Sequence, residues 1–339
     1  MLEHTRRQLI GIASAGAAIL AAEHAIHAAP TAPPGAPLST RPLGKTGASV
    51  SILGLGGYHL GTLSSESDAV SLVQKAIDNG LTFMDSAWEY HDGKSEMFLG
   101  AGLKGRRDKA FLMTKVCTHG RDKKTAIEQL DTSLRRLKTD HLDLWQVHEV
   151  AWDDDPKNHY KKDGVLEALT AAKKAGKVRF VGFTGHKKPE LHLEMLKGGF
   201  AFDTVQMPLN PFDGSHKSFE QRVLPEVTKR GMGALGMKSL SGDGGAVKAG
   251  IVTPAECIRY ALSLPVSAVI SGIDSLEVLE QNLAIARAFV PMSPDEMKAL
   301  REKVRAHADK GTYEPYKETR KHEGPIGRAQ HGVEPEKPS

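Results

Sequence analysis

The chain is expected to fold as an α/β protein, a closed (β/α)8 TIM barrel. Three observations lead there. Eight short apolar runs recur from Arg41 onward, and helical stretches lie between them. The runs are apolar at nearly every position, the pattern of parallel strands covered by helices. The units together span roughly 265 residues, close to the ~250 usual for such a barrel. An open doubly wound sheet is the alternative. It is weakened because Gly54-Leu55-Gly56-Gly57 lacks the G-x-G-x-x-G spacing after the first strand.

The strand candidates are Ile52–Gly56, Thr82–Asp85, Ala110–Lys115, Leu142–His148, Val178–Thr184, Thr204–Met207, Met232–Met237 and Val266–Ser271. Helical stretches between them include Asp68–Asn79, Lys123–Leu137, Val165–Ala175, Phe219–Arg230 and Ala255–Leu262. Ala69, Leu72, Val73, Ala76 and Ile77 recur at helical spacing and give one apolar face. Asn79-Gly80 and Ala175-Gly176 supply helix stops.

Before the barrel, Arg6-Arg7 precedes an Ala- and Gly-rich apolar run that is short for a bilayer span, which needs ~20 residues. Residues 1–28 are expected to be an export signal of the twin-arginine type, followed by a Pro/Ala-rich linker over 29–40. The mature protein would then be periplasmic, with no stable membrane span. The barrel is expected over 41–309. The polar tail, 310–339, reads as irregular, either disordered or draped over the barrel.

Composition narrows the function classes. The 339 residues hold 45 Lys+Arg against 41 Asp+Glu, with no dense basic stripe, so no nucleic-acid partner is expected. Two cysteines exclude a disulfide scaffold and an all-cysteine metal cluster. There is no H-x-H pair beyond the signal and no H-E-x-x-H helix, so no metal ligands are expected and a metal-dependent barrel hydrolase is disfavoured.

In such a barrel, chemistry gathers at the C-terminal ends of the strands. The second run ends in Asp85, with Tyr90 five residues on. The third ends in Lys115 and the fourth in His148. Each alone has an ordinary structural reading. Together, on three consecutive strands, they suit carbonyl reduction. A hydride arriving at carbon leaves negative charge on oxygen, which needs a proton donor and electrostatic help. Tyr90 would be that donor, Lys115 would lower its pKa, Asp85 would hold Lys115, and His148 would position the carbonyl oxygen.

The segments Phe83-Met84-Asp85-Ser86-Ala87-Trp88-Glu89-Tyr90 and His141-Leu142-Asp143-Leu144-Trp145-Gln146-Val147-His148 closely resemble those of the aldo-keto reductases. So do Arg41-Pro42-Leu43-Gly44-Lys45-Thr46-Gly47, Leu53-Gly54-Leu55-Gly56-Gly57 and Val205-Gln206-Met207-Pro208-Leu209-Asn210. The resemblance covers about 41–290, and it implies the same four catalytic residues. It also implies a nicotinamide cofactor bound without a Rossmann domain, on Gly57, Tyr58, Thr184, Gln206, Met237, Lys238, Leu240, Gly272 and Asn282. Gly185 and Met237 depart from the family's usual Asn and ring-stacking aromatic. No Lys or Arg lies between Ser271 and Asn282 to take a 2′-phosphate. Family habit favours NADP(H), with NAD(H) possible. A small-molecule aldehyde or ketone is the expected substrate. A cofactor-binding redox sensor with little turnover is the other reading. Cys117 and Glu149 are expected toward the site, and Trp88, Tyr58, Trp152 and Phe212 are candidate pocket walls.

Overall fold

The computed structural model describes residues 37–333 apart from 118, 120, 121 and 321. The expected export signal and most of the linker therefore lie outside the described residues. The first strands among the described residues form a hairpin, β1 (Thr40–Pro42) and β2 (Ser49–Ser51). Eight parallel strands follow: β3 (Leu53–Gly56), β4 (Phe83–Asp85), β5 (Phe111–Val116), β6 (Leu142–Val147), β7 (Val178–Thr184), β8 (Thr204–Pro208), β9 (Gly233–Met237) and β10 (Ala268–Gly272). Each pairs with the next, and β10 pairs back onto β3, so the barrel is closed. Each of the eight expected runs overlaps one of these strands, and three of the strands, ending at Val116, Pro208 and Gly272, run one residue past it.

Helices ring the barrel. They include α1 (Glu66–Asp78), α2 (Lys94–Gly102), α3 (Lys123–Leu137), α4 (Val165–Lys174), α5 (Pro189–Lys197), α6 (Leu224–Lys229), α7 (Pro254–Ser263), α8 (Leu276–Arg287) and α9 (Pro294–Arg305). The expected apolar face of α1 is buried, and the Ser65 hydroxyl caps the helix by accepting from Asp68 N–H. The expected single helix over Phe219–Arg230 is instead two pieces, Phe219–Arg222 and α6. Pro225 explains the break, since it has no N–H to continue the ladder.

The hairpin was not foreseen as strand pairing, because three-residue strands carry no readable periodicity. It puts Leu43 and Val50 into the interior cluster of Phe83, Phe111, Met113, Leu144, Leu235, Ala268 and Ile270. Gly44 makes this fit possible. Its φ is +53°, and a Cβ there would lie 2.4 Å from Gly233 N, the first residue of β9.

Residues 310–333 run along the barrel in short turns and end in α10 (Pro325–Gln330). They bury Glu314, Tyr316, Lys317 and Glu323. Lys317 is sealed between Asp213 (2.7 Å) and Glu314 (2.8 Å) and donates to His216 O at 2.7 Å. No helix among the described residues is long and apolar enough to cross a membrane.

Candidate active site

The ends of β4, β5 and β6 bring four of the expected side chains together. Lys115 is in register with Gln146 of β6, while Asp85 pairs with Met113, two residues before it. The Lys115 ammonium donates to Asp85 Oδ1 at 2.6 Å and to Ser86 O at 2.8 Å. Its third direction leads to Tyr90 Oη at 3.4 Å. Tyr90 Oη is also 3.4 Å from His148 Nε2. Gln206 on β8 donates to the other oxygen of Asp85 at 3.0 Å. The carboxylate is thus fixed from two strands, and it fixes the lysine in turn.

Electrostatics set the proton positions. Burial pushes the Lys115 ammonium pKa down, and Asp85 only partly restores it. Tyr90 is held well above the ordinary phenol value, first by burial and then by Asp85, Glu89 and Glu149. The expected lowering of the Tyr90 pKa by Lys115 is therefore reversed: desolvation and three carboxylates outweigh one partly neutralised cation. The phenol keeps its proton across the neutral range.

His148 is held by a residue outside the expected four. Its Nδ1 lies 2.5 Å from Glu89 Oε1. Burial would raise the Glu89 pKa, but hydrogen bonds from His148 and Cys117 hold it low, so Glu89 is ionised. Burial keeps the His148 imidazole neutral. A neutral ring beside an ionised carboxylate carries its proton on Nδ1, leaving a lone pair on Nε2. In this tautomer His148 Nε2 faces the Tyr90 hydroxyl at 3.4 Å. Glu89 had no role in the sequence reading. Its one signal there was an acid immediately before the candidate proton donor.

Cys117 joins this network through Glu89, since its thiol donates to Oε2 at 2.9 Å. Glu149 turns away to the tail and accepts from Gly324 N–H at 2.9 and 3.0 Å. Trp88 lies under Arg136, and Trp152 stacks on His331 at 4.2 Å. Phe212 is buried against Tyr313 of the tail.

The expected cofactor residues lie at the same end of the barrel. Gly57 follows β3 directly, and a Cβ there would strike Asp85 O at 2.3 Å. Tyr58 is exposed, with its ring 5.4 Å from that of Tyr90. Thr184, Met237 and Gly272 end β7, β9 and β10. Lys238 and Leu240 follow β9, with the Lys238 ammonium 5.0 Å above the Tyr316 ring. Asn282 sits farther along α8, buried and donating to Ser271 Oγ at 3.0 Å. Among the described residues, Gln206 Oε1 and the hydroxyls of Ser239 and Ser241 are buried without a hydrogen-bond partner. Orphaned polar atoms at one mouth are what a polar cofactor would satisfy.

The family model for the aldo/keto reductase family matches residues 52–255. The chain is 27% identical over 301 residues to the uncharacterized oxidoreductase YqkF of Bacillus subtilis, covering 77% of this chain and 94% of that one. It is 28% identical over 194 residues to the aldo-keto reductase YhdN of the same organism, spanning 53% of this chain and about half (55%) of YhdN. Its fold is similar to a Bacillus halodurans aldo-keto reductase in its holo form (TM-score 0.65, 24% identity, 78% of this chain and 96% of that one). It is similar also to a Klebsiella pneumoniae aldo/keto reductase in complex with NADP and acetate (TM-score 0.61, 24% identity, 76% and 93% covered). The matched segment contains β4, β5 and β6, whose ends carry the Asp85, Tyr90, Lys115 and His148 cluster, and this chain belongs to the aldo/keto reductase family.

Proposed function

We propose that the protein is an NADP(H)-dependent reductase of small aldehydes or ketones, with Tyr90 as proton donor. One observation carries the reading: the Tyr90 hydroxyl lies 3.4 Å from both the buried Lys115 ammonium and His148 Nε2. The Klebsiella relative's NADP complex favours NADP(H) as the cofactor.

The orphaned atoms fit that cofactor. Gln206 Oε1 would accept from the nicotinamide carboxamide, and Met237 would pack on the ring. Lys238, Leu240 and the Ser239 and Ser241 hydroxyls would line the phosphates. When bound, the reduced nicotinamide supplies the hydride. The rest of the chemistry belongs to the chain. Tyr90 directs its proton at His148 Nε2 until a carbonyl oxygen competes for it. As charge grows on that oxygen, the phenol gives up its proton. Lys115, 3.4 Å away, then stabilises the phenolate, and Asp85 keeps the ammonium in place. Glu89 fixes the His148 ring and its tautomer.

Tyr90→Phe removes the proton and little volume. Carbonyl turnover should fall about 10²–10⁴-fold, the usual worth of a general acid. NADPH binding, followed by tryptophan fluorescence, should change little. Turnover near that of the parent would end the assignment. The export reading belongs to the same proposal: a periplasmic reductase that loads its cofactor before transport. Mass spectrometry of the native N-terminus tests it, and a chain beginning at Met1 would contradict cleavage.

A further inference from the structure

Behind Glu89 and Glu149 lies a second cluster that the reductase chemistry does not use. His119 follows β5, Asp155 opens a one-turn helix after β6, and His331 follows α10 in the tail. One donor atom from each lies within 4.8 Å of the others. The side chains of His119 and Asp155 are fully buried. Among the described residues, both ring nitrogens of His119, Asp155 Oδ1 and His331 Nε2 are buried and make no hydrogen bond. Three converging polar atoms that meet one another at ion-pair distance but make no hydrogen bond leave room for an occupant.

The distances say which kind. His119 Nδ1 is 3.4 Å from Asp155 Oδ1, and His331 Nε2 is 3.3 Å from the same oxygen. An ion pair would draw such atoms to about 2.7–2.9 Å. A tetrahedral zinc with ligands at 2.0–2.1 Å holds them about 3.3 Å apart. The far side of each ligand is oriented as well. His119 Nε2 faces Glu149 Oε2 at 3.8 Å, and His331 Nδ1 faces Asp154 Oδ1 at 3.5 Å. Asp155 Oδ2 accepts from Ala151 and Trp152 N–H, both at 2.9 Å. Imidazoles whose second nitrogen faces a carboxylate are the usual outer shell of a metal site.

We infer that His119, Asp155 and His331 form a binding site for a divalent transition-metal cation of the zinc type, one that fastens the tail to the barrel mouth. Three protein ligands leave the remaining coordination positions of such an ion to water. The ligands come from three separate segments, which is why a search for H-x-H or H-E-x-x-H spacing met none of them. The tail is shaped to approach: a Cβ at Gly327 would meet His119 Nε2 at 2.5 Å. The site is structural and lies beside the reductase chemistry. Its failure would leave the reading of Tyr90 untouched.

The test uses the full chain without a histidine tag, stripped with a chelator and then dialysed. Zn²⁺ is titrated in competition with a chromophoric chelator. One equivalent should bind, and His331→Gln or Asp155→Asn should weaken binding more than about 100-fold, beyond the 10–100-fold typical of outer-shell changes. Zn²⁺ should also slow proteolysis of the tail in the parent chain and not in His331→Gln. No stoichiometric binding by the folded parent chain would overturn the inference. So would binding that both variants retain, since scattered surface histidines would then explain it.

Discussion

Among the described residues two lysines are fully buried, and they are used differently. Lys317 spends all three N–H directions on full-strength acceptors, two carboxylates and a carbonyl at 2.7–2.8 Å. Lys115 has one carboxylate, one carbonyl and a longer 3.4 Å approach to a phenol. A buried ammonium whose partners are complete is fixed in one state. One with a direction left toward a titratable hydroxyl can respond when charge appears there. Burial identifies neither role; the third partner does.

The sharpest separation comes from removing each cation. Lys115→Met should lower carbonyl turnover about 10²–10⁴-fold by taking away the charge that receives the phenolate. Its NADPH affinity should stay near that of the parent. A variant that lost stability but kept its turnover would make Lys115 a structural lysine like Lys317. Lys317→Met should do the reverse. It strands Asp213 and Glu314 in the interior, and breaking a buried pair costs about 3–5 kcal/mol. Urea unfolding reads that loss, while turnover of the folded fraction should hold. A drop in turnover without a drop in stability would erase the contrast.

A third lysine gives the smallest effect. Burial pushes the Lys238 ammonium down to about 8, with Glu149 opposing and Lys115 assisting. Below that pH it already carries its charge when a phosphate arrives. Above it, the free protein must first take up a proton, so NADPH affinity should fall, by at most about tenfold per pH unit. Calorimetry at pH 9 in buffers of different ionisation heat should show that uptake. Affinity unchanged between pH 7 and pH 9 would remove Lys238 from the phosphate site.

The same contrast explains what could be read beforehand. Asp85, Tyr90, Lys115 and His148 stand at the ends of apolar runs, where ionisable residues are conspicuous. The barrel was legible for the same reason, since each run is apolar against polar neighbours. Lys317, Glu314 and His331 lie in a stretch as polar as a solvated tail. Their partners sit far back in the chain, and no local spacing announces them. Glu89 was hidden by the company of its motif. The proton positions were the least legible, because they depend on the balance of desolvation against several charges at once. That balance is why the tyrosine pKa moves up where a lysine neighbour alone suggested down.

The Lys317–Asp213 ion pair joins residues 104 positions apart. During synthesis the barrel's strands and helices can form as they emerge, but this contact cannot. Until Lys317 and Gly324 are free, Asp213 lacks the Lys317 ammonium and Glu149 lacks the Gly324 amide. The mouth of the barrel is therefore finished only after Lys317 and Gly324 have emerged. A nascent chain halted before residue 310 would hold every catalytic side chain named above, yet two buried carboxylates would still await their partners.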